Sequence, residues 1–489
     1  MKGGDFISNV HTNHVMRYYL KLVIMMGLIF GSGLCPAVGP LSQYGTTIVV
    51  IFVGLIFGYL NFGMTIPSFM ALIALGFSKF GTVGSVLKEA IGHEVVLYVF
   101  AVLIFAQMLQ DSGVAAKLIN WLVTLKVLEG RPWLLSAMLM FTAYLVSLLV
   151  NFVPPCIIIW GMLFELFPAV GYKPGDKWPM IMLSGVLYMS TMGGFVSPFQ
   201  TGVVGNFGLL TAASGGELTF DALRYFIWAF PCGMILLALW LLFARFVLKP
   251  DISLLLKKDI LIRDNSPLNT KQKITVILFG LFVLGLLAPS VLPEGGGLKY
   301  FFAIMGSCGW GLLLVLAAIL VKVEGENMFD FGELFARGVI WDLPIMMGCM
   351  FTMVSALTET STGIPDLVAG FIQPLIGTMG LHTFWLFIIL LILLLSNLTN
   401  TVAVTCIFIP IMYTVAGQTG MNLVLLTACI NFVGNICLLS PACCMNAAML
   451  YGQRKWLTPK FCTGFAVFVL VTVYLVMIGI GLPLGNILL

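Results

Sequence analysis

The chain has 489 residues, 60% of them hydrophobic and only 9% charged, with a formal net charge of +4. A soluble domain carries roughly 25% charged residues, so this composition places the chain in a lipid bilayer and excludes a nucleic-acid binder. The small positive excess needs no partner beyond the cytoplasmic bias of lysine and arginine in membrane proteins.

The opening stretch, "MKGGDFISNVHTNHVMRYYLK", has no short apolar core followed by a cleavage site, and is expected to lead from the cytoplasm into a first span. Apolar runs near the ~20 residues needed to cross hydrocarbon begin at about 17, 45, 65, 92, 179 and 224, and again at about 274, 300, 341, 421 and 461. Two further apolar stretches, 133–163 and 383–413, are interrupted by "SLLVNFVPP" (147–155) and "SNLTNTVAV" (396–404), and each predicts a hairpin of two short helices. The expected fold is therefore an all-α polytopic membrane protein with eleven crossings and two re-entrant hairpins. The eleven cysteines have no metal-type spacing and are expected to be buried and reduced.

Between the halves, 248–273 holds Lys249, Lys257, Lys258, Arg263, Lys271 and Lys273, and is expected in the cytoplasm. The expected crossings then put the N-terminus inside and the C-terminus outside an inner (plasma) membrane. Lys117, Lys126, Arg131, Lys173, Lys177, Arg454, Lys455 and Lys460 all fall inside, and the outer segments 205–223 and 357–383 contain no Lys or Arg. The halves also match in order. "QDSGVAAKLI" (110–119) aligns with "TSTGIPDLVA" (360–369), Ser147 and Asn151 with Ser396 and Asn400, and "GGFVSPFQTG" (193–202) with "ICLLSPACCM" (436–445). An odd number of crossings per half inserts the two copies in opposite orientations, the inverted repeat of secondary transporters.

Unpaired backbone at membrane depth is tolerated only where it lines protein or a water-filled cavity, so the two interruptions are candidate sites. Pro154-Pro155 suits the first turn of a hairpin's second arm, where a missing N–H costs nothing. That arm then aims the positive end of its dipole at Asn151, and Thr399 or Asn400 can cap its counterpart. Helix N-termini of this kind attract anions, while carbonyls ending each first arm, with Ser and Asn oxygens, suit a small hard cation. The partner surfaces are the breaks in "STMGGFVSPFQTGVVG" (190–205), with Gln200 and Thr201, and "GNICLLSPACCMNAAMLYG" (434–452), with Asn446. None of these four elements contains Arg or Lys, so a bound cation would supply the charge that an anion needs. Ser, Thr and Asn in membrane helices also serve simply to bond a neighbouring helix. Repetition argues against that for Ser147, Asn151, Ser396 and Asn400, and leaves Asn397 open. Glu94, Asp111, Asp342 and Glu359 are expected to be interfacial caps, and His93 and His382 carry no assigned role.

This layout resembles the divalent-anion:sodium symporter family, within the wider ion-transporter superfamily, over nearly the whole chain. Thr399-Asn400-Thr401 resembles the family's Ser-Asn-Thr hairpin motif, and "PACCMNAAMLYG" resembles its Pro-Pro-Asn break. In the first half the motif position reads Val150-Asn151-Phe152, so both hydroxyls are gone, and Gln200-Thr201 stand where the family has a small residue and a Ser. The resemblance implies an elevator mechanism in a homodimer. It implies a scaffold over 1–91, a first transport repeat over 92–223 (hairpin 133–163, broken helix 179–205) and further scaffold over 224–340. A second repeat then covers 341–460 (hairpin 383–413, broken helix 421–452), and 461–489 forms a last scaffold helix. It also implies sodium at Ser147, Asn151 and Gly194 in the first half and at Ser396, Asn400 and Ala442 in the second. Substrate carboxylates would lie at Asn151, Phe152, Gln200, Thr201, Thr399, Asn400, Thr401, Pro441 and Cys443. Phe152 adds apolar surface where a carboxylate-binding Thr would sit, which points to a larger, partly apolar anion or to one tightly held carboxylate.

The leading expectation is thus a sodium-coupled transporter of a small organic anion, a di- or monocarboxylate, with a sodium-independent anion exchanger as the alternative. A sodium/proton antiporter or an arsenite-type exporter would need a carboxylate pair that neither hairpin carries. A membrane enzyme would need a His, Asp, Glu or Cys cluster at one depth, and an ATP-driven pump a phosphate-binding Gly-Lys motif. The adjacent Cys443-Cys444 pair is weak grounds for a soft-metal site.

Overall fold

The computed structural model describes residues 4–489 except 124, 129, 257–266, 294–295, 324, 399–400 and 441–443. The chain begins with α1 (Gly4–Gly31), α2 (Gln43–Phe62), the short α3 (Thr65–Gly76) and α4 (Val83–Gly92). Then come α5 (Glu94–Asp111), α6 (Val114–Val123), α7 (Pro132–Leu149), α8 (Val153–Val170), α9 (Lys177–Val196), α10 (Thr201–Ala213) and α11 (Ala222–Phe243). The second half has α12 (Thr270–Val291), α13 (Gly297–Leu320), α14 (Phe331–Gly338), α15 (Asp342–Thr358), α16 (Ile364–Met379) and α17 (Leu381–Leu398). It closes with α18 (Thr401–Thr419), α19 (Leu423–Gly434), α20 (Met445–Gly452), α21 (Pro459–Val476) and α22 (Leu482–Leu488).

Among the described residues, eleven helical segments are long and apolar enough to cross a membrane, α9 and α10 counting as one. The number equals the expected count, but its members differ. The expected crossings α3 and α19 span 12 residues each, and α15 spans 17, short of a full span. In their place α7, α8 and α17 qualify, because the hairpin arms are not the short helices expected. They run 18 residues each, or about 27 Å. The helix α8 continues past Glu165 to Gly171, whose left-handed backbone (φ 104°) ends it by returning its N–H to Phe167 and Pro168.

Each half repeats one order: an amphipathic helix (α4 or α14), an apolar helix (α5 or α15), a tight glycine turn, a second amphipathic helix (α6 or α16), then a hairpin and a broken helix. The turns are Gly113 (φ 72°) and Gly363 (φ 73°), the aligned glycines of the sequence, both in a backbone conformation that side chains resist. Each turn is held by the start of another helix. Ser42, the N-cap of α2, donates its backbone N–H to Thr362 at 3.0 Å, and Gly45 approaches so closely that an added Cβ would lie 2.0 Å from the Thr362 oxygen. Gln272, in the capping box that opens α12, donates its side-chain amide to Ser112 at 3.2 Å. Among long-range packings, α3 lies on α15 and α13 on α5, so the halves interlock.

Of the four acidic residues expected to be caps, two stand at helix starts, whereas Asp111 and Glu359 close α5 and α15. Glu94 and Asp342 open α5 and α15, where the helix dipole favours negative charge. Asp111 accepts from Gln107 at 2.8 Å, and Glu359 from Tyr44 at 2.9 Å. His93, with no role assigned from sequence, is the N-cap of α5 and accepts the Val95 N–H at 3.3 Å.

Candidate functional site

Hydrogen bonds along α9 give the direction of both arms of the first hairpin. Trp178 at the start of α9 donates to Ser136 (3.0 Å), and the Ser190 and Ser147 hydroxyls meet at 2.7 Å near its end, so α7 runs parallel to α9. On α8, Phe152 accepts from Ser190 (2.5 Å) while Trp160 donates to Leu183 (3.0 Å), so α8 runs antiparallel. The chain therefore turns back at 150–152, and 133–163 is a hairpin. The close seam between α7 and α9 depends on Gly193, where a Cβ would lie 2.2 Å from the Tyr144 oxygen.

The second half repeats the pattern. Ile392 packs beside Gly434 and Asn397 bonds residues 436–439, so α17 runs parallel to α19. Thr401 meets Cys437 at 3.1 Å and Thr405 lies beside Gly434, so α18 runs antiparallel.

At the first tip the helix-ending carbonyls are met by side chains of the broken helix. Val150 accepts from Gln200 Nε2 at 2.9 Å and Ser147 from the same nitrogen at 3.4 Å. Leu148 accepts from Ser197 at 2.7 Å, and Phe152 from Ser190. Asn151 Oδ1 accepts one long bond, 3.4 Å, from the Val153 N–H. Because Pro154 and Pro155 carry no N–H and Val153 gives its own to Asn151, only Phe152 keeps one of the four orphan donors that a helix start normally offers. Phe152 packs against Gly194. The Gly194 carbonyl would ordinarily be met by the residue four positions on, which is Pro198 and has no N–H to give.

At the second tip one hairpin side chain both donates to and accepts from the break. Asn397, 1% exposed, donates to Leu393 (2.8 Å) and Ile436 (2.7 Å) and accepts from Leu438 (2.9 Å) and Leu439 (3.1 Å). It thus organises the unwound segment between α19 and α20. Among the described residues Ser396 bonds only Leu393 of its own helix, at 3.1 Å. Thr399, Asn400, Pro441, Ala442 and Cys443 lie outside the described residues. Asn446, at the start of α20, is 4% exposed and its Oδ1 has no partner among the described residues.

A chain of amides joins the two breaks. Asn206 on α10 donates to Asn431 on α19 (2.8 Å), and Asn431 donates to the Tyr225 hydroxyl (2.7 Å). Tyr225 in turn donates to Phe195 near the end of α9 (2.6 Å), and Asn435 donates to Asn431's carbonyl (2.7 Å). Asn431 and Asn435 were not singled out from the sequence, although two asparagines one turn apart in an apolar run are a signal.

Between α10, α15 and α18 lies a cavity of about 90 Å³ lined by Thr201, Gly202, Asn206, Thr405, Asn435 and the methionines of α15. Among the described residues Gln200, the N-cap of α10, makes no capping bond with its side chain, and Thr201 and Gly202 of the first turn line the cavity. Of the expected site residues, Ser147, Asn151, Phe152, Gly194 and Gln200 gather at the first tip, while Thr201 faces this cavity and Thr401 anchors the second tip to Cys437.

A family model described as "Citrate transporter" matches residues 48–431. The crystal structure of the YdaH transporter of Alcanivorax borkumensis, titled as having an unusual topology, resembles the fold with a TM-score of 0.51 at 14% identity, covering 85% of this chain and 88% of that one. No curated protein sequence matches.

Proposed function

As a member of the citrate transporter family, the chain is a multi-pass membrane transporter and not an enzyme, and we propose that it carries an organic carboxylate together with sodium by an elevator movement. Citrate, the substrate in the family's description, is the first carboxylate to test. The observation that carries this reading is the cavity at the start of α10. There, the first turn of α10, the Asn206 and Asn435 amides and the Thr201 and Thr405 side chains meet, and no Lys or Arg is among the lining residues. Dipole ends and amides hold an anion without fixing it permanently, which suits a site that must load and unload. The anion-facing residues are Thr201 with Asn151 and Phe152 at the first tip, and Thr399, Asn400, Thr401, Pro441 and Cys443 at the second, while the Gln200 amide is held by the hairpin carbonyls. Sodium is assigned to Ser396, Asn400 and Ala442.

In the moving part, the two hairpins and two broken helices travel as one body tied by the Asn206–Asn431–Tyr225 chain. They slide against a scaffold of 1–91, 224–340 and 461–489 in a homodimer, in an inner membrane with the N-terminus cytoplasmic. Sodium-free exchange of one anion for another is the second reading. The amide already seated on the first-hairpin carbonyls favours it, because a hairpin satisfied by its own protein needs no ion to close.

Radiolabelled citrate uptake into proteoliposomes tests both readings. Symport requires an inward sodium gradient and collapses in choline, whereas exchange persists as counterflow without sodium. Absence of uptake and counterflow for citrate and for a panel of di- and monocarboxylates would overturn the carboxylate assignment.

A further inference from the structure

The ends of the two first arms have the same ancestry in the repeat but different electrostatics. A cation at the first hairpin would be coordinated by carbonyl oxygens left over where α7 stops, chiefly those of Ser147 and Val150, beside the Gly194 carbonyl. Two of these three oxygens are already occupied. Gln200 is the N-cap of α10, and its extended backbone (φ −72°, ψ 141°) carries the side chain back across the break to Val150 at 2.9 Å and Ser147 at 3.4 Å. Two carbonyl oxygens can be met only by a donor, so their position fixes which end of the amide faces them. The neighbouring carbonyls of Leu148 and Phe152 are met by Ser197 and Ser190. The carbonyls of Ser147, Leu148, Val150 and Phe152 are thus met by protein donors where a cation would otherwise be required, and the residues present do not fit a sodium ion.

The other half differs at the matching position. The alignment of 193–202 with 436–445 places Cys443 opposite Gln200. A thiol is a weak single donor and cannot meet two carbonyls as an amide does.

We propose that the Gln200 side-chain amide is a built-in substitute for the first-hairpin cation, so that this hairpin closes without an ion and any cation coupling runs through the second hairpin alone. The consequence for coupling rests on the transport reading; the substitution itself does not, and it is tested without substrate. The test uses Glu at this position. Gln200→Glu keeps the shape of the side chain but turns two donor contacts into oxygen facing oxygen, which only a cation between them relieves.

Purified full-length wild type, Gln200→Glu and Gln200→Ala are melted in detergent at alkaline pH, in sodium chloride and in an equal concentration of choline chloride, whose cation is too large for the site. The expected result is that both variants melt below wild type in choline. Sodium then raises their melting temperatures a few degrees more than it raises that of wild type. If Gln200→Glu does not fold in either salt, the Gln200→Ala comparison decides. Equal sodium shifts in wild type and in the folding variants overturn the proposal, as does a Gln200→Glu protein as stable as wild type in choline. A failure of citrate transport leaves this measurement intact, so the two readings fail separately.

Discussion

Asn397 is the most heavily engaged polar side chain at the second break, and its removal has a calculable consequence. It is buried, and its four bonds reach Leu393, Ile436, Leu438 and Leu439. The Leu393 oxygen also accepts from Ser396, so Asn397→Ala strands three backbone groups: the Ile436 oxygen and the N–H groups of Leu438 and Leu439. A buried polar group left unmade costs about 1–3 kcal/mol, which gives about 3–9 kcal/mol for the three. Against a typical net stability of about 5–15 kcal/mol, this is enough to remove much of the folded population. Asn397→Asp keeps the acceptor for Leu438 and Leu439 and loses only the donors, so it should fall between wild type and Asn397→Ala. Ser396→Ala deletes a bond to a carbonyl that Asn397 already serves and should cost under ~1 kcal/mol. The assay is thermal unfolding of each detergent-solubilised variant, followed by the monodisperse fraction on size-exclusion chromatography. If Asn397→Ala melts within a degree of Ser396→Ala, the assignment of Asn397 as organiser of the unwound segment is wrong. Ser396→Ala, by contrast, should stay folded and lose the sodium dependence of uptake.

The remaining expectations are more local. Tyr225→Phe removes the bond to Phe195 and the acceptor for Asn431, and should lower stability by about 1–3 kcal/mol, measured as a shift in melting temperature. Gly193→Ala places a carbon 2.2 Å from the Tyr144 oxygen and 2.8 Å from Ser147 Cβ, so α7 must lift from α9; little folded protein should be recovered by size exclusion. Asn151→Ala gives up a single 3.4 Å bond, so its melting temperature should stay near wild type while uptake is lost, and Asn400→Ala should likewise abolish uptake. Normal uptake by both would defeat the tip assignment.

The two hairpins were legible because an Asn, followed by paired prolines in the first and flanked by threonines in the second, is costly inside an apolar run unless the helix breaks there. Arm length was not legible, since an apolar sequence does not say whether it faces lipid or another helix. The amphipathic helices α4, α6, α14 and α16 escaped notice for a related reason: a search for uninterrupted apolar runs discards helices that bury one face only. Gly113 and Gly363, noticed as an alignment, proved to be matched turns with nearly equal φ. Gln200 was expected to touch substrate because sequence shows an amide near a break; which carbonyls that amide faces depends on the return of α8 and the four-residue gap before α10. Asn397, three residues from Asn400, could not be told from it by spacing. Only the path of 436–439 past α17 separates a structural amide from one at the tip.

The clamp between the start of α2 and the turn at Gly363 has a mechanical meaning. With Ser42 and Gly45 gripping Thr362, the near end of α16 is fixed like the pin of a crank, and its far end meets α17 at Gly380, another left-handed glycine (φ 74°). If the second hairpin moves as proposed, the 16 residues of α16, about 24 Å, set the radius of its stroke. Gln272 on Ser112 gives α6 the same kind of pivot, so lengthening either lever by a helical turn should alter the throw while leaving the binding pocket unchanged.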